Sequence, residues 1–139
     1  MAKLRPSSSV PAACRPFQSG SAEGSKNGSP IVVNVEWMFD TGASIGALTS
    51  NTANQFDLTP TGATASGTTG GGGIIVKTGL TVVFDAENSC GINGAVKSAT
   101  RIGVKPNNSG NDLVGMNQLA NVGVRIEWDP STRTGRLMI

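Results

Sequence analysis

The chain has 139 residues, of which 14% are charged, and a formal net charge of +2, which limits it to one domain or to one domain with a tail. It contains no histidine, which excludes Ser-His-Asp and Cys-His catalysis, His-ligated zinc and a histidine general base. Any enzyme built from this chain must therefore use carboxylates, lysine or backbone groups.

The positive charge is concentrated near the N-terminus. Residues 31–139 carry seven basic and eight acidic side chains, so this part is close to neutral and has no basic stripe for nucleic acid. No apolar run reaches 18 residues, and the first residues do not form an apolar leader. We therefore expect no membrane or nucleic-acid partner, and a cytoplasmic protein unless a leader has been removed.

Residues 1–30 are rich in Ser, Pro, Gly and Ala and contain few large apolar side chains. Such a segment buries too little apolar surface to offset the entropy lost on ordering. It is predicted to be a largely disordered or flexible tail, with room for local order where it adds to a sheet edge. Residues 31–139 are predicted to form the folded domain.

A β-branched and aromatic run over residues 31–39 predicts one or two strands, and its last three residues are large and apolar. Asp40 follows directly. The next four residues are small and predict a tight turn: Thr41, Gly42, Ala43 and Ser44. A carboxylate at the end of a buried strand is costly unless it is hydrogen-bonded or functional. Asp40 is therefore the candidate catalytic residue, and the turn is its supporting loop.

After this turn, residues 45–49 predict a short strand, and Ser50 is a candidate cap for a helical turn that ends at Phe56. Residues 61–73 hold nothing larger than Thr, so they form either a plain flexible loop or a mobile hairpin. Further strands are predicted at residues 74–78, 80–85 and 95–104.

A second candidate motif lies near the C-terminus, where Leu113, Val114 and Gly115 precede a predicted short helix over residues 116–121. Two more strands, joined by a turn, are predicted to follow the helix. The last strand ends on Leu-Met-Ile, and an apolar strand at a sheet edge is a liability unless another chain covers it.

The run from Trp37 to Ser44, which contains Asp-Thr-Gly-Ala-Ser, resembles the active-site loop of the retropepsin-like aspartic proteases. The Leu113–Gly115 motif is similar to the element that packs behind that loop in the same family. The two matches span roughly residues 31–139. The resemblance implies an all-β, mainly antiparallel, closed-barrel-like fold with one short C-terminal helix. It also implies an aspartic endopeptidase that uses water as the nucleophile and needs no metal or cofactor.

In this family a hairpin flap follows the active-site loop at about the distance of residues 61–73, so the resemblance favours a flap over a plain loop. Backbone groups at the flap tip would bond an extended peptide or protein substrate. The predicted flap residues are Ser66, Gly67, Thr68, Thr69, Gly70, Gly71, Gly72 and Gly73.

Hydrolysis by aspartates needs two carboxylates, and this chain has one Asp-Thr-Gly. The resemblance therefore implies a homodimer in which the two Asp40 residues meet at the two-fold axis, Thr41 bonds across it and the C-terminal strands pair. One alternative is a catalytically silent domain that kept the fold for dimerisation or peptide binding. Another is an unrelated β-barrel or capsid-like protein in which the tripeptide is a coincidence.

Overall fold

The computed structural model describes residues 3–6, 16–67, 72–88, 93–99, 101–106 and 110–139. Within these ranges it contains twelve strands and two short helices. The strands are β1 (Lys3–Pro6), β2 (Pro16–Lys26), β3 (Ser29–Phe39), β4 (Ala47–Leu48), β5 (Thr59–Gly67), β6 (Gly72–Thr78), β7 (Thr81–Glu87), β8 (Asn93–Ser98), β9 (Ile102–Val104), β10 (Asp112–Val114), β11 (Arg125–Asp129) and β12 (Thr134–Met138). The helices are α1 (Ser50–Ala53) and α2 (Met116–Val122).

The strands form one mixed sheet in the order β5-β6-β9-β4-β10-β3-β2-β1-β12-β7-β8, with β11 paired to β12 and β2 also paired to β7. Most pairings are antiparallel, while β10 with β3, β4 with β9 and β12 with β7 are parallel. The predicted all-β, mainly antiparallel character is confirmed. The closed-barrel-like form is not, because the end strands β5 and β8 do not pair with each other among the described residues.

The predicted tail does not hold for the described part of residues 1–30. Strand β2 pairs with β3 along its whole length, from Phe17↔Met38 to Lys26↔Ser29, and β1 pairs with both β2 and β12. Leu4, Phe17 and Ala22 are buried. The folded unit therefore begins before residue 31, since this segment adds to the sheet edge that β3 would otherwise expose.

Two further expectations are corrected. The C-terminal strand is not an open edge, because β12 has β11 on one side and, on the other, β1 and a contact between Met138 and Glu87 of β7. The sheet therefore covers this strand without a second chain. Residues 95–104, predicted as one strand, belong to two strands, β8 and β9, which pair with different partners.

The two helices are short, and the described residues contain no helix with the length and apolarity to cross a membrane. Helix α1 confirms the helical turn predicted after the active-site loop, although it ends at Ala53 and is capped by Thr49 rather than by Ser50. The described residues thus contain two helices, whereas the expected fold has one. The Thr49 side chain accepts a hydrogen bond from the N–H of Thr52, which satisfies one of the free donors at the helix start.

The end of β3 is deeply buried in the sheet. The strand alternates between exposed and half-buried residues at its start and is fully buried at Trp37, Met38 and Phe39. Because β2 and β10 flank this end, Trp37 and Phe39 enter the main core, while Met38 enters a smaller cluster. Phe39 meets Phe84 edge to face, with ring centroids 5.3 Å apart. This packing fixes the point at which the chain turns into the loop at Asp40.

Candidate active site

Asp40 stands in a tight turn directly after β3. Its N–H donates to the carbonyl of Val114 at 2.9 Å, and its own carbonyl accepts from the N–H of Ala43 at 3.1 Å. Its side-chain Oδ1 accepts from the N–H of Gly42 at 2.9 Å. The carboxylate is therefore held by the backbone of its own turn, while the turn is attached to β10. This is the arrangement expected for a hydrogen-bonded carboxylate at the end of a buried strand.

One side of the turn is exposed to solvent. Asp40 is half-buried, Ala43 is half-buried, and Thr41, Gly42 and Ser44 are exposed. The strand behind the turn is buried, so the carboxylate stands at the boundary between the core and solvent. A water molecule or a substrate can approach it from the open side.

Leu113, Val114 and Gly115 lie behind this turn. Strand β10 runs parallel to β3 with Leu113 opposite Met38 and Val114 opposite Phe39, and all three motif residues are buried. The structure thus brings together the two stretches that the sequence singled out, although about seventy positions separate them.

Helix α2 starts against the same loop. The N–H of Met116 donates to the carbonyl of Ala43 at 2.8 Å, and the N–H of Asn117 donates to the carbonyl of Ser44 at 3.1 Å. The first N–H groups of a helix have no partner within the helix, and here the loop carbonyls supply it. The start of α2 and the loop therefore satisfy each other's backbone groups.

Two amide side chains of α2 reach past the loop to the connection between β8 and β9. The N–H of Gly46 donates to Asn117 Oδ1 and to Gln118 Oε1, both at 3.1 Å. The same two side chains donate to the carbonyl of Arg101, Asn117 Nδ2 at 2.7 Å and Gln118 Nε2 at 3.1 Å. Sequence reasoning missed the role of Gln118, because nothing in the sequence distinguishes a buried amide on a short helix from an exposed one.

The predicted flap lies on a hairpin of β5 and β6. These strands pair antiparallel, with Ser66 opposite Gly73 and Gly67 opposite Gly72, and β6 joins β9, which in turn joins β4 after the active-site loop. Thr68, Thr69, Gly70 and Gly71 lie outside the described residues. The pairing shifts between Pro60 and Thr64, where Gly62 has a φ of 83°, a left-handed conformation that favours glycine.

A buried lysine also lies near the loop. Lys105 is 7% exposed, and its ammonium donates to the carbonyl of Asn111 at 2.8 Å. Burial lowers the pKa of Lys105, while the negative charges of Asp112 and Asp40 act in the opposite direction. The sequence gives no sign of this burial, because Lys105 follows a short strand and precedes a proline, a position typical of a surface turn.

Among the described residues, no three His, Cys, Asp or Glu side chains form a group that could hold a metal ion. No protein-family model and no curated protein matches this chain. The function of the loop therefore has to be inferred from its own residues and their geometry.

Asp112 secures the segment that follows the loop. Its Oδ1 accepts from the N–H of Thr49 at 2.8 Å and from the Thr49 hydroxyl at 3.1 Å, and its Oδ2 accepts from the Thr52 hydroxyl at 2.8 Å. Asp112 begins β10, whereas Thr49 and Thr52 belong to the cap and body of α1. One carboxylate thus ties α1 to the strand that supports Asp40.

We expect Asp112→Ala to lower the free energy of unfolding by roughly 2–3 kcal/mol, because hydrogen bonds to a charged acceptor are lost and the Thr49 N–H loses its partner. Urea denaturation with unchanged m-value measures this. The matched control is Asp57→Ala, which removes an exposed carboxylate bonded to the N–H of Asn27 and paired with Lys26. It should cost less than about 1 kcal/mol. Equal losses in the two variants would contradict the assigned role of Asp112.

Proposed function

We propose that this chain is an aspartic endopeptidase of the retropepsin-like type, acting as a homodimer that joins one Asp40 from each protomer. The observation that supports this best is the turn at Asp40, a carboxylate at the end of a buried strand with the Leu113–Gly115 motif and α2 behind it and open space in front. General acid–base catalysis requires this combination of fixed position and access.

The chemistry follows from two carboxylates at close range. Two carboxylates at such close range share one proton, because their negative charges repel each other strongly. The ionised Asp40 takes a proton from water, which attacks the peptide carbonyl, while the protonated Asp40 donates to the carbonyl oxygen. In the resulting tetrahedral intermediate, the Asp40 that took the water proton passes it to the leaving nitrogen, and the other Asp40 takes a proton from one of the two hydroxyls as the C–N bond breaks. The products are an amine and a carboxylic acid, and the pair again holds one proton. The reaction needs no metal or cofactor, because the two carboxylates activate the attacking water and the carbonyl themselves.

A second copy supplies the missing carboxylate. The exposed residues Thr41, Gly42 and Ser44 surround Asp40 and offer the surface on which two loops can meet at a two-fold axis. In this arrangement the hydroxyl of Thr41 bonds across the axis. The contact is formed around the loops and not by the C-terminal strand, because β12 is already paired on both sides within one chain.

The substrate is an extended peptide. In the dimer the β5–β6 hairpin acts as the flap, and backbone groups near Ser66–Gly73 bond the peptide as an added strand. The glycines of this segment favour close approach of two backbones, since they carry no side chain between them.

The test is cleavage of an unstructured protein such as casein from pH 3 to pH 8, with the oligomeric state measured in the same sample by light scattering. We expect a bell-shaped profile favoured on the acid side for the wild type and no cleavage for Asp40→Ala. Cleavage that persists in Asp40→Ala would refute the proposed mechanism. A dimeric wild type without cleavage would favour a silent peptide-binding domain.

A further inference from the structure

Gln118 is an amide in a core position. It is 0% exposed, although it lies on a helix of seven residues. Its Oε1 accepts from the N–H groups of Gly46 at 3.1 Å and Gly115 at 2.9 Å, and its Nε2 donates to the carbonyl of Arg101 at 3.1 Å. A buried amide is costly when its hydrogen bonds are unmade, so this site depends on all three partners being in place.

The two glycines enclose the catalytic turn. Gly46 closes the loop that begins at Asp40, and Gly115 directly follows Val114, whose carbonyl holds the Asp40 N–H. Neither position has room for a side chain: a Cβ on Gly46 would come within 2.6 Å of the Leu113 carbonyl oxygen, and a Cβ on Gly115 within 2.6 Å of the Ile45 carbonyl carbon. The two backbone segments beside the turn of Asp40 are therefore closely packed, and a single oxygen of Gln118 joins them.

We propose that Gln118 is a positioning residue for the catalytic turn, acting through Gly46 and Gly115 rather than by touching the substrate. This inference depends on the proposed function. The neighbouring amide, Asn117, shares the bonds to Gly46 and Arg101 but has no bond to Gly115. The loss of Asn117 leaves the Gly46 N–H bonded to Gln118, whereas the loss of Gln118 leaves the buried N–H of Gly115 without its acceptor.

Gln118→Met tests this inference, because methionine has a similar length and removes every hydrogen bond of the amide. We expect kcat to fall by about tenfold or more with KM changed by less than about twofold, since a small displacement of a catalytic group costs rate and not substrate binding. Asn117→Ala should lower kcat by less than about threefold, because the Gln118 bonds remain. Both are measured on the full chain, well below its unfolding temperature.

The structural control is Ser98→Ala. The buried Ser98 hydroxyl donates to the carbonyl of Gln118 and accepts from Asn121 Nδ2, both at 3.4 Å, so its loss weakens the packing of α2 against β8. We expect lower stability and an unchanged kcat. If Gln118→Met keeps kcat within about twofold of the wild type, or if Ser98→Ala lowers kcat as much, the positioning role is overturned.

A second readout does not depend on hydrolysis. Hydrogen exchange of the Gly115 amide, followed by NMR, should accelerate by about tenfold or more in Gln118→Met and stay unchanged in Ser98→Ala, whereas the Gly46 amide, which keeps its bond to Asn117, should change less. If the wild type shows no hydrolysis, the proposed function fails while the exchange data still decide whether Gln118 holds the loop. Unchanged hydrogen exchange in Gln118→Met overturns the positioning role of Gln118 and leaves the proposed function untouched.

Discussion

Mixing the wild-type chain with an equal amount of Asp40→Asn should reduce the activity of the wild-type subunits to about half, once the subunits have exchanged. Random pairing puts half of the wild-type subunits opposite a partner without the carboxylate, and such a dimer lacks one of its two acid–base groups. Asp40→Asn alone should lose at least about a thousandfold in kcat, because the two carboxylates act as a unit. Peptide hydrolysis and subunit exchange, followed by mass spectrometry of labelled chains, are measured together.

Asp85→Asn is the matched control for this experiment. Asp85 is an exposed carboxylate on β7, and its replacement changes the charge by the same amount without affecting the loop. Mixing with this variant should leave the activity unchanged. Full activity after mixing with Asp40→Asn, in a sample whose subunits have exchanged, would mean that each chain works alone. The two-fold site would then be rejected, whatever the pH profile.

The end of β3 and the turn after it can be predicted from the sequence, because in each case the neighbouring residues alone determine the structure. Three consecutive large apolar residues predict burial on both faces, and small residues after Asp40 predict a turn that closes on its own backbone. The structure agrees at both points, with Trp37, Met38 and Phe39 buried and the turn closed by Gly42 and Ala43. No long-range information is needed for either.

Strand β2 shows why the tail prediction failed. Its small residues read as disorder, yet they make close packing possible: a Cβ on Gly20 would collide with the Val83 carbonyl oxygen and with Trp37, and a Cβ on Gly24 would stand 2.7 Å from the Phe56 ring. The small residues of β2 leave space that large side chains from elsewhere fill, Trp37 of β3 and Phe56 of the segment after α1. Composition alone cannot distinguish a disordered segment from an ordered strand whose small residues allow large side chains of neighbouring elements to pack against it.

The polar residues around the loop were unpredictable for a different reason. Gln118 and Asp112 take their roles from partners distant in sequence, Gly46 and Thr49, and the buried Lys105 lies within the electrostatic reach of Asp40. Each has a side chain that is usually exposed, so burial is not the default expectation. Only the pairing of β10 with β3 and of β4 with β9 brings these partners together.

Trp37→Ala should lower the free energy of unfolding by roughly 3–5 kcal/mol, which is the usual cost of truncating a large aromatic residue in a core. Trp37 is 0% exposed, and its Nε1 donates to the carbonyls of Ser21 at 3.2 Å and Val83 at 3.1 Å. The indole therefore joins β3 to β2 and β7 three positions before Asp40. Urea denaturation of the full chain measures the loss.

Trp37→Phe and Gly20→Ala separate the contributions at this site. Phenylalanine keeps most of the apolar contact and removes the N–H, so it should cost less than alanine. Gly20→Ala should be destabilising in the wild type and should remain so when combined with Trp37→Phe, because its Cβ also collides with the backbone carbonyl of Val83, which a smaller ring does not move. Val32→Ala, on the same strand but 63% exposed, should cost less than about 0.5 kcal/mol. If Trp37→Ala costs no more than Val32→Ala, the end of β3 is not a rigid support for Asp40. The proposed catalytic role of Asp40 then lacks the fixed position that it requires.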